Sequence, residues 1–110
     1  LPIFDTASQF AADHSLTLVL KGSPSLIAMA DGTVVINSTG NAGMATGGSG
    51  DVLTGIIAGL MAQGMPQASI AGTYIHGEAG DYFSKNESET TLIAGDLLRS
   101  LPETLKRILP

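Results

Sequence analysis

Between Thr46 and Asp51 the chain reads TGGSGD, and from Val52 it changes at once to an apolar helical pattern. The apolar positions are Val52, Leu53, Ile56, Ile57, Leu60 and Met61, which put a wide face on one side of a helix. Gly64 supplies a C-terminal stop and Pro66 blocks continuation. A flexible linker has no reason to end in this way. Gly47, Gly48 and Gly50 are expected to allow positive φ and close approach of a ligand to the backbone. With the helix starting at about Gly50, its first amides are unpaired and point outward, with the positive end of the helix dipole behind them. That combination is an anion site, and phosphate is its common occupant.

A Walker-type loop carries Lys and then Ser or Thr after its glycines. Here Asp51 stands in that place. A carboxylate beside a phosphate repels it unless the carboxylate has a chemical task. One such task is to accept the proton of a hydroxyl that attacks the phosphorus. GGSG alone is equally well explained by an ordinary capped helix start. The longer run from Asn41, with the turn LKG upstream, favours ligand binding.

The remaining elements follow from periodicity and turn signals. Phe4 to His14 has helical spacing, with Phe4, Ala7, Phe10 and Ala11 near one face, and Ser15 breaks it. LTLVLKG, Leu16 to Gly22, reads as a buried strand, and its first five residues as an interior parallel one. Leu26 to Ala30 and Thr33 to Asn37 form a hairpin around Asp31-Gly32. A helix is expected from Gln67 to Phe83, with Ala68, Ala71, Ile75, Ala79 and Tyr82 inward. Lys85 to Thr91 is a polar loop, and Asp96 opens a last helix that runs to Leu109, with basic residues in its last turn. Gly55 and Gly59 are expected to pack closely against another backbone. The order is helix, strand, hairpin, glycine loop and three helices. This is an α/β pattern without the parallel partners its first strand calls for, as in the C-terminal part of a larger domain.

Composition narrows the functional classes. The 110 residues are 44% hydrophobic and 14% charged, a globular balance. A net charge of −5 argues against a nucleic-acid partner, which needs clustered Lys and Arg. The absence of cysteine excludes disulfides and thiolate metal sites. No signal peptide is visible, and the most apolar stretch, Val52 to Met65, is too short to span a bilayer.

VLKGSPSLIA, DGTVVINSTGNAGMATGGSGDVLTGIIAGLMAQG and HGEAGD together resemble the ADP- or ATP-dependent NAD(P)H-hydrate dehydratases of the ribokinase-like superfamily. The resemblance runs from about Leu16 to Leu101. It implies nucleotide-dependent repair of the S epimer of hydrated NADH or NADPH. The ring hydroxyl is phosphorylated, and loss of phosphate restores the dinucleotide. It makes Asp51 the catalytic base and a contact of the hydrate. Gly47, Gly48, Ser49 and Gly50 become the anion hole for the nucleotide phosphates. Lys21, Gly22, Ser23, Pro24 and Ser25 match the nucleotide-binding turn, with Lys21 placed to meet a phosphate. Asn41, Ala42, Gly43, Met44, Ala45 and Thr46 match the preceding part of the nucleotide loop. ADP or ATP with Mg²⁺ is implied, together with a cytoplasmic setting, no membrane or nucleic-acid partner, no metal-ligand residue, and room for a homo-oligomer.

A full catalytic domain of this family is much longer. Residues 1–110 are therefore expected to be the C-terminal segment of a single domain whose N-terminal half is not in this chain. Such a segment alone is expected to bind nucleotide poorly and turn over little. Two other readings stay open: a ribokinase-like kinase of a vitamin precursor or sugar, and a non-catalytic nucleotide-binding module. His76 and Glu78, two apart on a helix, point away from each other and read as structural or solvent residues. His14 reads as an exposed helix end, Asp81 and Asp96 as caps or surface groups, and Glu87 and Glu89 as solvated. Met44 is expected to pack against the sheet.

Overall fold

The computed structural model describes residues 2–109. They form two compact units that meet in sequence at Asn37 and Ser38.

The first unit is helix α1, Pro2–Asp13, with three strands: β1 Leu18–Leu20, β2 Leu26–Ala28 and β3 Val34–Ile36. Its core is small. Ala7 and Ala11 pack with Ala28, and Leu18 and Val34 close around them. The expected helix face is thus carried by its alanines, while Phe10 stays largely exposed and stacks on His14. Ser15 ends the helix at φ +51. The amides of Ser15 and Leu16 then reach back to Ala12 and Ala11, the paired bonds of a Schellman stop.

The sheet order is β1-β2-β3, antiparallel throughout. The expected hairpin is present, with Leu26, Ile27 and Ala28 opposite Ile36, Val35 and Val34. Its three-residue tip closes by Gly32 N–H to Met29 O and Met29 N–H to Thr33 O. The Thr33 amide and hydroxyl hold the Asp31 carboxyl below the usual carboxylate range. The expectation of a parallel interior strand at Leu16–Leu20 is corrected. β1 is antiparallel to β2, because the turn Lys21–Ser25 reverses the chain. An apolar run reports burial, not direction. The buried central strand is β2, whereas β1 is half-buried.

The second unit is helical: α2 Ser49–Ala62, α3 Ala68–Asn86 and α4 Ala94–Ile108, with short 3₁₀ turns at Ala42–Met44 and Glu89–Thr91. Ala79, Leu92 and Leu97 form its core, with Met44, Val52, Phe83 and Leu101 packed around them. Met44, expected against the sheet, packs against this helical core. α2 ends as expected, with Gly64 at φ +76 and Met65 N–H bonded to Leu60 O. α4 starts two residues before Asp96, whose carboxylate accepts from Ile93 N–H at 2.9 Å. That bond and the neighbouring Arg99 lower the Asp96 pKa. Pro102 lies inside α4 on its exposed side, so the missing bond faces water. No helix among the described residues is long and apolar enough to cross a membrane.

The expected close packing of Gly55 and Gly59 is not found. A Cβ built on either would meet nothing within 4 Å among the described residues. The helix contact is made instead by Gly72 of α3, where a Cβ would lie 2.6 Å from Ile57 Cγ1 and 3.3 Å from its Cα. The two kinds of glycine predict opposite signs. Gly72→Ala should destabilise by about 1–3 kcal/mol through overpacking. Gly59→Ala should stabilise by up to about 1 kcal/mol through helix propensity. Urea unfolding of the two variants checks this, and equal signs would contradict the packing.

Candidate anion site at the start of α2

The loop Ser38–Gly48 is held by one face of α3. Three residues of HGEAGD do this and a fourth, His76, holds Ser49 at the start of α2; the four sit at positions that share a helix side. Asp81 accepts the Gly40 amide at 2.9 Å and the Asn41 side-chain amide at 3.0 Å. The Asn41 side-chain oxygen Oδ1 in turn accepts the Gly43 amide at 3.0 Å and so caps the 3₁₀ turn. Gly77 lets Thr39 lie on the helix, where its hydroxyl donates to Tyr74 O at 3.0 Å. Gly80 leaves the space that Met44 fills. The buried His76 meets Ser49 through Nε2, 3.0 Å from its carbonyl oxygen and 3.3 Å from its hydroxyl.

These bonds decide which amides remain for a ligand. Gly40 and Gly43 donate to side chains. Met44, Ala45 and Thr46 donate to Asn41, Ala42 and Met44, and Ser49 donates to Thr46. Among the described residues the amides of Gly47, Gly48, Gly50 and Asp51 meet no acceptor. They fall together at the N-terminus of a 14-residue helix. Backbone donors at such a place need a partner, which here is water or an anion. Gly47 and Gly48 are exposed and open to it.

Of the glycines at the end of the loop, Gly48 takes the left-handed conformation, at φ +88. It also faces Ala94, whose Cβ would lie 3.1 Å from an added Cβ. Gly50 lies within the helix, so the expectation of positive φ along the whole run narrows to Gly48. Ser49 contributes nothing outward from its hydroxyl, which is buried against His76. Asp51 is the third residue of α2 and exposed, in the same first turn as the outward amides.

The sequence-predicted residues fall in two places. Asn41 to Asp51 form one continuous stretch of the second unit. Lys21 to Ser25 belong to the first, where they form the β1–β2 turn. In that turn Gly22 N–H and O both lie 3.3 Å from Ser25 Oγ, and Lys21 is exposed. Sequence reading missed His76 and Asp81 as parts of the site. Asp81 is no cap or plain surface group, since both its oxygens bind the loop. The available signal was HGEAGD itself, which brings two small and two polar residues to one helix side.

Gly48→Ala combines a left-handed Cβ with a contact on Ala94. It should cost about 1–2 kcal/mol of stability. The shift should be read by thermal unfolding, with Gly47→Ala as a control at a position with nothing within 4 Å. Equal effects of the two would contradict this conformation.

A family described as NAD(P)H-hydrate dehydratase matches residues 3–103 of the chain. The bifunctional NAD(P)H-hydrate repair enzyme of Moorella thermoacetica is 48% identical over 106 residues, which cover 94% of this chain and 20% of that protein. The ADP-dependent (S)-NAD(P)H-hydrate dehydratase of Neisseria meningitidis serogroup B is 46% identical over 92 residues, 81% of this chain and 31% of its own. The solved ADP/ATP-dependent NAD(P)H-hydrate dehydratase of Bacillus subtilis, co-crystallised with ATP and Mg²⁺ and soaked with CoA, superposes with a TM-score of 0.89 at 35% identity. That match covers 96% of this chain and 40% of the solved one. A ribokinase-like superfamily protein of Enterococcus faecalis V583 superposes at 0.78 with 37% identity, over 91% of this chain and 35% of that one. The α/β elements are thus those of ribokinase-like proteins, and the chain spans well under half the length of these relatives.

Proposed function

Because the chain belongs to the NAD(P)H-hydrate dehydratase family over residues 3–103, we propose that it is a C-terminal segment of an ADP-dependent (S)-NAD(P)H-hydrate dehydratase domain. The observation that carries this reading is the group of outward amides at Gly47, Gly48, Gly50 and Asp51, with the Asp51 carboxylate in the same helical turn. The amides would hold the terminal phosphate of ADP, and the helix dipole would offset its charge. The hydroxyl of the hydrated nicotinamide ring attacks that phosphorus, its proton passes to Asp51, and the bond to the AMP oxygen breaks. The carbon–oxygen bond then breaks as phosphate leaves. A proton departs from the neighbouring carbon, and the ring double bond is restored. Lys21 to Ser25 are read as a nucleotide-binding turn of the first unit.

Mg²⁺ enters with the nucleotide. Among the described residues no three His, Asp or Glu side chains converge on a metal position. Mg²⁺ would be held mainly by phosphate oxygens and water, which is its usual habit. Its chemistry would be to offset phosphate charge. ADP, not ATP, follows the dependence named for the Neisseria relative. The cytoplasm, where reduced dinucleotides are used, is the proposed setting.

Asp51→Asn in the complete protein should reduce turnover by about 10²–10⁴-fold, the usual worth of a general base. ADP binding should survive, because the amides are untouched. Steady-state assay alongside calorimetric titration of ADP tests this, and near-normal turnover would contradict the base assignment. The same assay separates a kinase with a stable product. Dehydration releases free phosphate and restores reduced-dinucleotide absorbance, whereas a kinase accumulates a phosphate ester.

A further inference from the structure

Asp81 is half-buried on α3 and has no place in the phosphoryl chemistry. In a loop read as an anion site, another negative charge is unfavourable, so a carboxylate here needs a reason. The bonds supply one. Asp81 Oδ2 accepts from Gly40 N, Oδ1 accepts from Asn41 Nδ2, and Asn41 Oδ1 accepts from Gly43 N. All three run in one direction and end on a group that can only accept. An amide at position 81 would bring one donor and one acceptor. Its donor would face Gly40 N–H or Asn41 Nδ2. Turning the Asn41 carboxamide over would only move the conflict to Gly43 N–H. The polarity of the chain of bonds thus requires one carboxylate in it.

We propose that Asp81 is a positioning residue for nucleotide binding, its carboxylate setting the direction of a relay that holds the glycine loop in its binding shape before ligand arrives. The proposal rests on the nucleotide reading of the loop. A glycine-rich segment loses more conformational freedom on ordering than any other. The relay meets that cost in the free protein. It fixes Gly40, at φ +102, and Gly43. Gly43 is further seated against the Glu89 backbone. From Gly43 the 3₁₀ bonds of Met44 and Ala45, and the tighter bond from Thr46 N–H to Met44 O, pass the order on to the outward amides. Without the relay the competent loop becomes a minor state, and apparent affinity falls by its population.

The test is kinetic and uses the complete protein. Asp81→Asn should raise KM for ADP by about 10–100-fold. Its kcat at saturating ADP and its KM for the hydrate should stay within about threefold, since Asp51 and α2 are untouched. Amide exchange at Gly40 and Gly43 should quicken. Asn41→Asp sets two carboxylates against each other and should weaken ADP likewise, so it carries the test if Asp81→Asn fails to fold. The double variant Asp81→Asn with Asn41→Asp satisfies every bond again. The amide at 81 donates to the carboxylate at 41, which still accepts from Gly43, while the amide oxygen accepts from Gly40. It should recover much of the lost affinity and slow the exchange at Gly43. An unchanged KM for ADP in Asp81→Asn, or a double variant no tighter than the single ones, overturns the proposal. A wild-type protein that never saturates with ADP overturns the nucleotide reading and this one with it. Wild-type saturation with an indifferent Asp81→Asn overturns this one alone.

Discussion

Backbone amides that lack acceptors are the constraint on which the second unit turns. A helix cannot pair its first amides internally, and a glycine-rich approach adds more of them. Here Asp81 and Asn41 take the amides of Gly40 and Gly43, the loop's own carbonyls take those of Met44, Ala45 and Thr46, and those of Gly47, Gly48, Gly50 and Asp51 are left open at the start of α2. These four donors lie together at one spot. The same spot carries the positive end of the α2 dipole, so an anion gains from both.

The site depends on α3 as much as on its own loop. His76, Gly77, Gly80 and Asp81 bear the loop by two hydrogen-bonded side chains and two missing ones. Larger residues at 77 or 80 would displace Thr39 or Met44. Met44 joins this bed to the apolar core of Ala79, Leu92 and Leu97, so loop and core are one packing unit. The two carboxylates near the loop differ in partners. Asp81 is engaged by two hydrogen bonds, whereas Asp51 is exposed.

The hairpin was legible because Asp31-Gly32 is a turn signal with a local cause. α2 was legible because its apolar period, Gly64 stop and Pro66 agree. The start of α2 and its uncovered first amides were legible in outline because glycines directly before a helix start leave them without local acceptors, an effect of residue type. Strand direction at Leu18–Leu20 was not legible, because a run of apolar residues reports depth and not pairing. The packing role of glycine was misassigned from Gly72 to Gly55 and Gly59. Helical spacing marks a small face but not what lies against it. Asp81 and His76 were hidden for a further reason: their partners are 27 to 41 residues away in sequence. A polar residue in a helix reads as a surface group until its long-range partner is known.

An amide-resolved NMR titration of the complete protein with ADP probes the open amides directly. The largest shifts are expected at the amides of Gly47, Gly48, Gly50 and Asp51, with Gly40 and Gly43 nearly still because their bonds are already made. Saturable ADP binding that leaves those four amides unmoved would contradict an anion site at the start of α2.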